Sequence, residues 1–101
     1  MNNKLRHGSV LLVEDDMINA IALISMLEDE GYETFHAADG ESSVELIENG
    51  KRFDFVIMDV NLGPGISGID AAKKIINICG IPVIFLTGRP KNEIDSLMDG
   101  A

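Results

Sequence analysis

Four short apolar runs alternate with four stretches of helical periodicity, and that alternation limits what this chain can fold into. "SVLLVEDD" carries an unbroken apolar strand, Val10 to Val13, which ends in three acids. An unbroken run is what a strand covered on both faces requires. Further strands read from "YETFHAA", "FDFVIMD" and "PVIFLT". Between them, helices are predicted from Asp16 to Glu30, closed by Gly31, and from Glu41 to Asn49, capped by Asp39 and closed by Gly50. Ile69, Ala72, Ile76 and Cys79 mark a third helix. Ile94, Leu97 and Met98 mark a fourth. The order β-α-β-α-β-α-β-α implies an α/β fold: a doubly wound parallel sheet with helices on both faces and right-handed crossovers.

The first helix is apolar over most of its circumference. Met17, Ala20, Ile21, Ile24 and Leu27 form one stripe, widened by Ile18, Leu23 and Met26. Such a helix is expected to have two neighbours, the sheet and one other element. Its last turn, Glu28-Asp29-Glu30, opposes the helix dipole, and nothing in the sequence explains it.

Composition narrows the function classes. The chain has 101 residues, enough for one domain, and its formal net charge is -9. A negative balance argues against a nucleic-acid partner, which needs a basic face. A single cysteine, Cys79, allows no internal disulfide, suits a reducing cytoplasmic location and is expected in the core. No leader opens the chain and no apolar run approaches about 18 residues, so no membrane association is expected. His7 and His36 have no metal-site spacing to each other or to Cys79. Gly63, Gly65 and Gly68 do not make a GxGxxG turn after the first strand, which argues against a nucleotide site.

In a doubly wound sheet the site lies beyond the carboxyl ends of the strands, where the strand order switches. Glu14, Asp15, Asp59 and Thr87 all fall there. Three converging carboxylates repel, and at least one pKa should rise. A hard divalent cation such as Mg2+ removes the conflict with oxygen ligands. A carboxylate beside it is a plausible nucleophile toward phosphorus.

"LLVEDD", "VIMDVNLGPGISG" and "IPVIFLTG", in this order on these strands, resemble the receiver domain of two-component response regulators. The resemblance runs from about Ser9 to Ala101 and implies the flavodoxin-like strand order 2-1-3-4-5, of which this chain carries the first four strands. It implies Asp59 as phosphoacceptor from the phosphohistidine of a sensor histidine kinase or phosphotransfer protein, giving an aspartyl phosphate. It implies Glu14, Asp15, Asp59 and the main-chain carbonyl of Asn61 as Mg2+ ligands, and Thr87 as hydrogen-bond donor to the phosphoryl oxygen. Gly88 would leave room for that group, Arg89 would tune access of water, and Asp16 would cap the first helix.

The chain departs from the family pattern after "LMDGA". The family continues into a fifth strand ending in a phosphate-binding lysine, then a fifth helix; Lys91 follows Thr87 too closely to be that lysine. Residues 1–101 are therefore expected to be a single receiver domain truncated at its C-terminus, a fragment or engineered truncation. The fourth-strand edge and the first helix are expected to self-associate. The primary expectation is a phosphorelay switch that catalyses only its own phosphorylation and dephosphorylation. The alternative is a receiver-like interaction module that cannot switch. A phosphohydrolase is disfavoured, because Asn61 stands where such enzymes carry a second acid.

Overall fold

A computed structural model describes residues 8–87 and 91–98. Gly88 and Arg89, and His7 near the N-terminus, lie outside the described residues. Within them the elements run β1 (Gly8–Val13), α1 (Met17–Asp29), β2 (Tyr32–Ala37), α2 (Gly40–Glu48), β3 (Phe55–Asp59), α3 (Gly68–Cys79), β4 (Val83–Leu86) and α4 (Lys91–Leu97). The described strands form one parallel sheet in the order β2-β1-β3-β4. The expected alternation and strand order both hold.

Each of the first three helices starts where a side chain takes over orphan N–H groups of its first turn. Asp16 accepts from the Ile18 and Asn19 amides, Asp39 from Ser42, and Ser67 from Asp70. Asp16 caps α1 as expected, and Glu30, expected inside the helix, is its C-terminal cap. Gly31, Gly50 and Gly80 follow the first three helices with positive φ, which lets the chain reverse at little steric cost.

Both faces of the sheet are covered. On one face Leu11, Val13, Val56 and Met58 pack with Ile47 of α2 and Ile75 of α3. On the other, Val10, Leu12 and Ile57 pack with Ala20 of α1. This is why β1 reads as an unbroken run: Val10 to Val13 are all fully buried.

Two helix faces differ from expectation. On α1 the sheet-facing residues are Ala20, Leu23, Ile24 and Leu27. Met17 and Ile21, expected on the buried stripe, are 55% and 61% exposed, and Ile18 and Met26 are also exposed. A helix apolar nearly all round does not reveal which sector meets the sheet. On α3 Ile69 and Ala72 are buried as expected, but the next buried position is Ile75, with Ile76 half-buried, because the helix seats along the i, i+3 row from Ile69 and Ala72. Cys79 is only partly buried, against the edge of the larger core, and its Sγ lies 3.6 Å from the Ile75 carbonyl. β3 begins later than expected, at Phe55. Phe53 is buried ahead of it, and Asp54 accepts a hydrogen bond from the Ser9 amide.

Candidate functional site

The sheet register builds the site. Val13 stands opposite Met58, so Glu14 and Asp59 leave adjacent parallel strands side by side. Asp59 stands opposite Leu86, so Thr87 emerges from β4 at the same edge. From β1 the chain moves outward to β2 on one side and then returns to place β3 on the other. The acids therefore occupy the gap where the connections diverge, which is where ligands bind in sheets of this type.

The carboxylates converge. One oxygen from each of Glu14, Asp15 and Asp59 lies within 4.8 Å of the others. Asp15 is exposed, Asp59 half-buried and Glu14 only 4% exposed. The Glu14 carboxyl is pushed up to about 7. Burial is the largest cause, and a hydrogen bond with Asp59 together with the charges of Asp59 and Asp15 adds to it; the Asp16 amide, donating to Glu14 Oε2 at 3.2 Å, works the other way. A buried acid whose ionisation is disfavoured first by burial and then by two neighbouring carboxylates belongs to a donor set short of positive charge. A hard divalent cation fits such a set, since it accepts oxygen ligands and supplies the missing charge.

Main-chain contacts hold these groups in place. The Asn61 amide donates to Asp59 Oδ1 at 2.9 Å, turning the chain directly after β3. The Glu14 amide donates to the Ala37 carbonyl at 3.1 Å. The Glu14 carbonyl accepts from His36 Nε2 at 2.8 Å, which places a proton on that ring nitrogen. His36 was legible in the sequence only as a strand residue; its role comes from the β1–β2 register, which sets Leu12 beside it. Gly68 was also missed. A Cβ there would strike the Asp59 carbonyl, so only glycine lets α3 start this close to the acid.

The sequence matches the response regulator receiver domain family over residues 10–100. The chain belongs to that family. Aerobic respiration control protein ArcA of Escherichia coli (strain K12) is 36% identical over 89 residues, covering 88% of this chain and 36% of that protein. The receiver thus spans little more than a third of that relative. Among solved structures, the N-terminal domain of a response regulator/sensory box/GGDEF protein from Carboxydothermus hydrogenoformans superposes with TM-score 0.79 at 34% identity, covering 87% of this chain and 74% of that one. The receiver domain of sensor histidine kinase PA1611 from Pseudomonas aeruginosa PAO1 gives 0.78 at 30% identity, covering 90% and 75%. That neighbour carries a magnesium ion in its active-site cleft.

Membership places this receiver in two-component signalling, and receiver domains are not enzymes in the ordinary sense. Receiver domains bind magnesium in the acidic pocket, and this chain has an acidic cluster at the carboxyl edge of its sheet. Among the described residues, no helix is long and apolar enough to cross a membrane.

Proposed function

We propose that this receiver accepts a phosphoryl group on Asp59 from the phosphohistidine of a sensor histidine kinase or a phosphotransfer protein. The observation that carries the proposal is the convergence of Glu14, Asp15 and Asp59 within 4.8 Å at the switch point of the sheet. Glu14, Asp15, Asp59 and the main-chain carbonyl of Asn61 would hold Mg2+. The bound ion would offset negative charge on the phosphoryl oxygens.

The chain's own groups supply the rest. A carboxylate oxygen of Asp59 forms the new P–O bond while the P–N bond to the donor imidazole breaks, and the electron pair stays with the imidazole nitrogen. The Asn61 amide, bonded to Asp59 Oδ1, orients the acid for that attack. The Thr87 hydroxyl donates to a phosphoryl oxygen. In the same proposal Gly88 would leave room for the phosphoryl group and Arg89 would tune access of water.

The reading also includes a cytoplasmic location and self-association. Among the described residues β4 pairs with β3 alone, and Ile84 is 52% exposed, so this apolar edge could pair with a second copy.

Incubation with magnesium and acetyl phosphate tests the phosphoryl transfer. The expected result is a base-labile mass increase on the chain that is absent in Asp59→Asn. A folded chain that takes up no phosphoryl group, or an Asp59→Asn variant that still does, would sink the proposal. The first outcome would leave a receiver-like interaction module.

A further inference from the structure

The loop joining β3 to α3, residues 60–67, is held at both ends. Near the cluster, the Asn61 amide bonds to Asp59, and Gly63 lies against Asp15: a Cβ on residue 63 would stand 3.1 Å from Asp15 Oδ2. The far half of the loop crosses the start of α2. There Glu41 Oε2 accepts a hydrogen bond from the Ile66 amide at 2.8 Å.

Two glycines make that contact possible. Gly65 has φ +104, and a side chain on it would meet both Glu41 carboxylate oxygens at 2.5 Å. A Cβ on Gly40 would come within 2.8 Å of Ile66 Cγ1 and 3.1 Å of the Ile66 carbonyl. The Ile66 side chain itself packs on the larger core. Glu41 also sits in the first turn of α2, where negative charge suits the helix dipole. That role needs the charge alone. It does not need a glycine on each side, or an amide from another element in hydrogen-bond range.

We propose that Glu41 is a positioning residue, a latch from α2 that fixes the β3–α3 loop and so the Asn61 main chain at the phosphoryl-transfer edge. The proposal rests on the reading of Glu14, Asp15, Asp59 and Asn61 as the magnesium site. A loop containing Gly63, Pro64 and Gly65 has many conformations open to it. Without the latch, ion binding must order the loop, and affinity falls by that ordering cost. Loss of a supporting partner behind a metal ligand typically lowers affinity roughly tenfold or more.

The test compares the whole chain with Glu41→Ala, Glu41→Gln and Asp39→Ala. Two quantities are read: magnesium affinity by titration calorimetry, and hydrogen exchange at the Ile66 amide by NMR. Asp39→Ala removes the cap of the same helix, which accepts from the Ser42 amide at 2.7 Å, and controls for weakening of α2. Glu41→Ala is expected to bind magnesium roughly tenfold more weakly and to exchange the Ile66 amide faster. Glu41→Gln, which keeps an acceptor oxygen, restores most of both. Asp39→Ala lowers the melting temperature and changes neither. Unchanged exchange at Ile66 in a folded Glu41→Ala chain overturns the latch whatever magnesium does. Equal effects from Asp39→Ala reduce Glu41 to a helix-stability role and overturn it as well. A wild-type chain that binds no magnesium overturns the metal-site reading and the proposal with it, and the Ile66 exchange rates show separately whether the contact itself exists.

Discussion

Gly68 and Asp59 touch main chain to main chain: the Asp59 carbonyl lies where a side chain on residue 68 would begin, and the Gly68 amide donates to the Val60 carbonyl at 3.3 Å. The first turn of α3 is therefore seated directly on the end of β3. Gly68→Ala forces one of the two apart. Overpacking of this kind costs about 1–3 kcal/mol. A urea titration should show the midpoint fall accordingly, and phosphoryl uptake from acetyl phosphate should slow because Asp59 is displaced. An alanine variant of wild-type stability would contradict the contact.

The acidic cluster sets a pH dependence. In the fold the Glu14 carboxyl titrates near 7, against an ordinary value of 4.5, chiefly because it is buried. Between those values the folded chain holds a proton that the unfolded chain has released, so unfolding free energy falls as pH rises through that window and levels off above it. Magnesium supplies the positive charge that the proton otherwise provides. Thermal melts in chelator should drop from about pH 5 to about pH 8, and added magnesium should raise the melting temperature most at the upper end. Asp39 acts with the opposite sign. The Ser42 amide holds its carboxyl below 3.8, so its contribution is present above that value and is lost as pH falls through the lower, folded one.

Removing one of the converging charges should help the metal-free protein. Asp59→Asn keeps an oxygen for the Asn61 amide and removes repulsion from Glu14 and Asp15. At about pH 8 in chelator the variant should melt above wild type, and magnesium should cancel or reverse the difference. A variant that melts lower in chelator would mean that the three carboxylates do not strain the fold.

An exposed residue of α1 and a buried residue of α3 should respond differently to substitution. Ile18 is 80% exposed, so Ile18→Ser is expected to change stability by no more than about 0.5 kcal/mol. Ile75 on α3 is fully buried, and Ile75→Ala should cost about 2–5 kcal/mol. Denaturant titration of both variants checks the burial assignment on which the larger core depends.

If the β4 edge pairs with a second copy, sedimentation velocity will show a concentration-dependent species larger than the monomer. Ile84→Lys should return it to monomer, because a charge on an exposed edge opposes strand pairing. A wild-type chain that sediments as a monomer at all concentrations would remove this element of the proposal.

Much of the molecule is legible in the sequence because the relevant signals are local. Strand runs, helix periods, the caps at Asp16 and Asp39 and the closing Gly31 and Gly50 each depend on residues within a turn or two. The position of acids at strand ends follows from the same reading, and the family resemblance adds their expected roles. The sequence does not say which sector of an apolar helix meets the sheet. Of the expected stripe, Ala20, Ile24 and Leu27 face the core, but Met17 and Ile21 are exposed and Leu23 packs in their stead. Nor does it announce that His36 bonds to Glu14, that Gly68 abuts Asp59 or that Glu41 reaches Ile66. These pairs join residues 22, 9 and 25 positions apart, and only parallel register and helix seating bring them together. Local chemistry determined the alternation and the identity of the acids. The tertiary structure decided how closely the acids converge, and therefore that Glu14, the most buried of them, ionises less readily than its position in the sequence suggests.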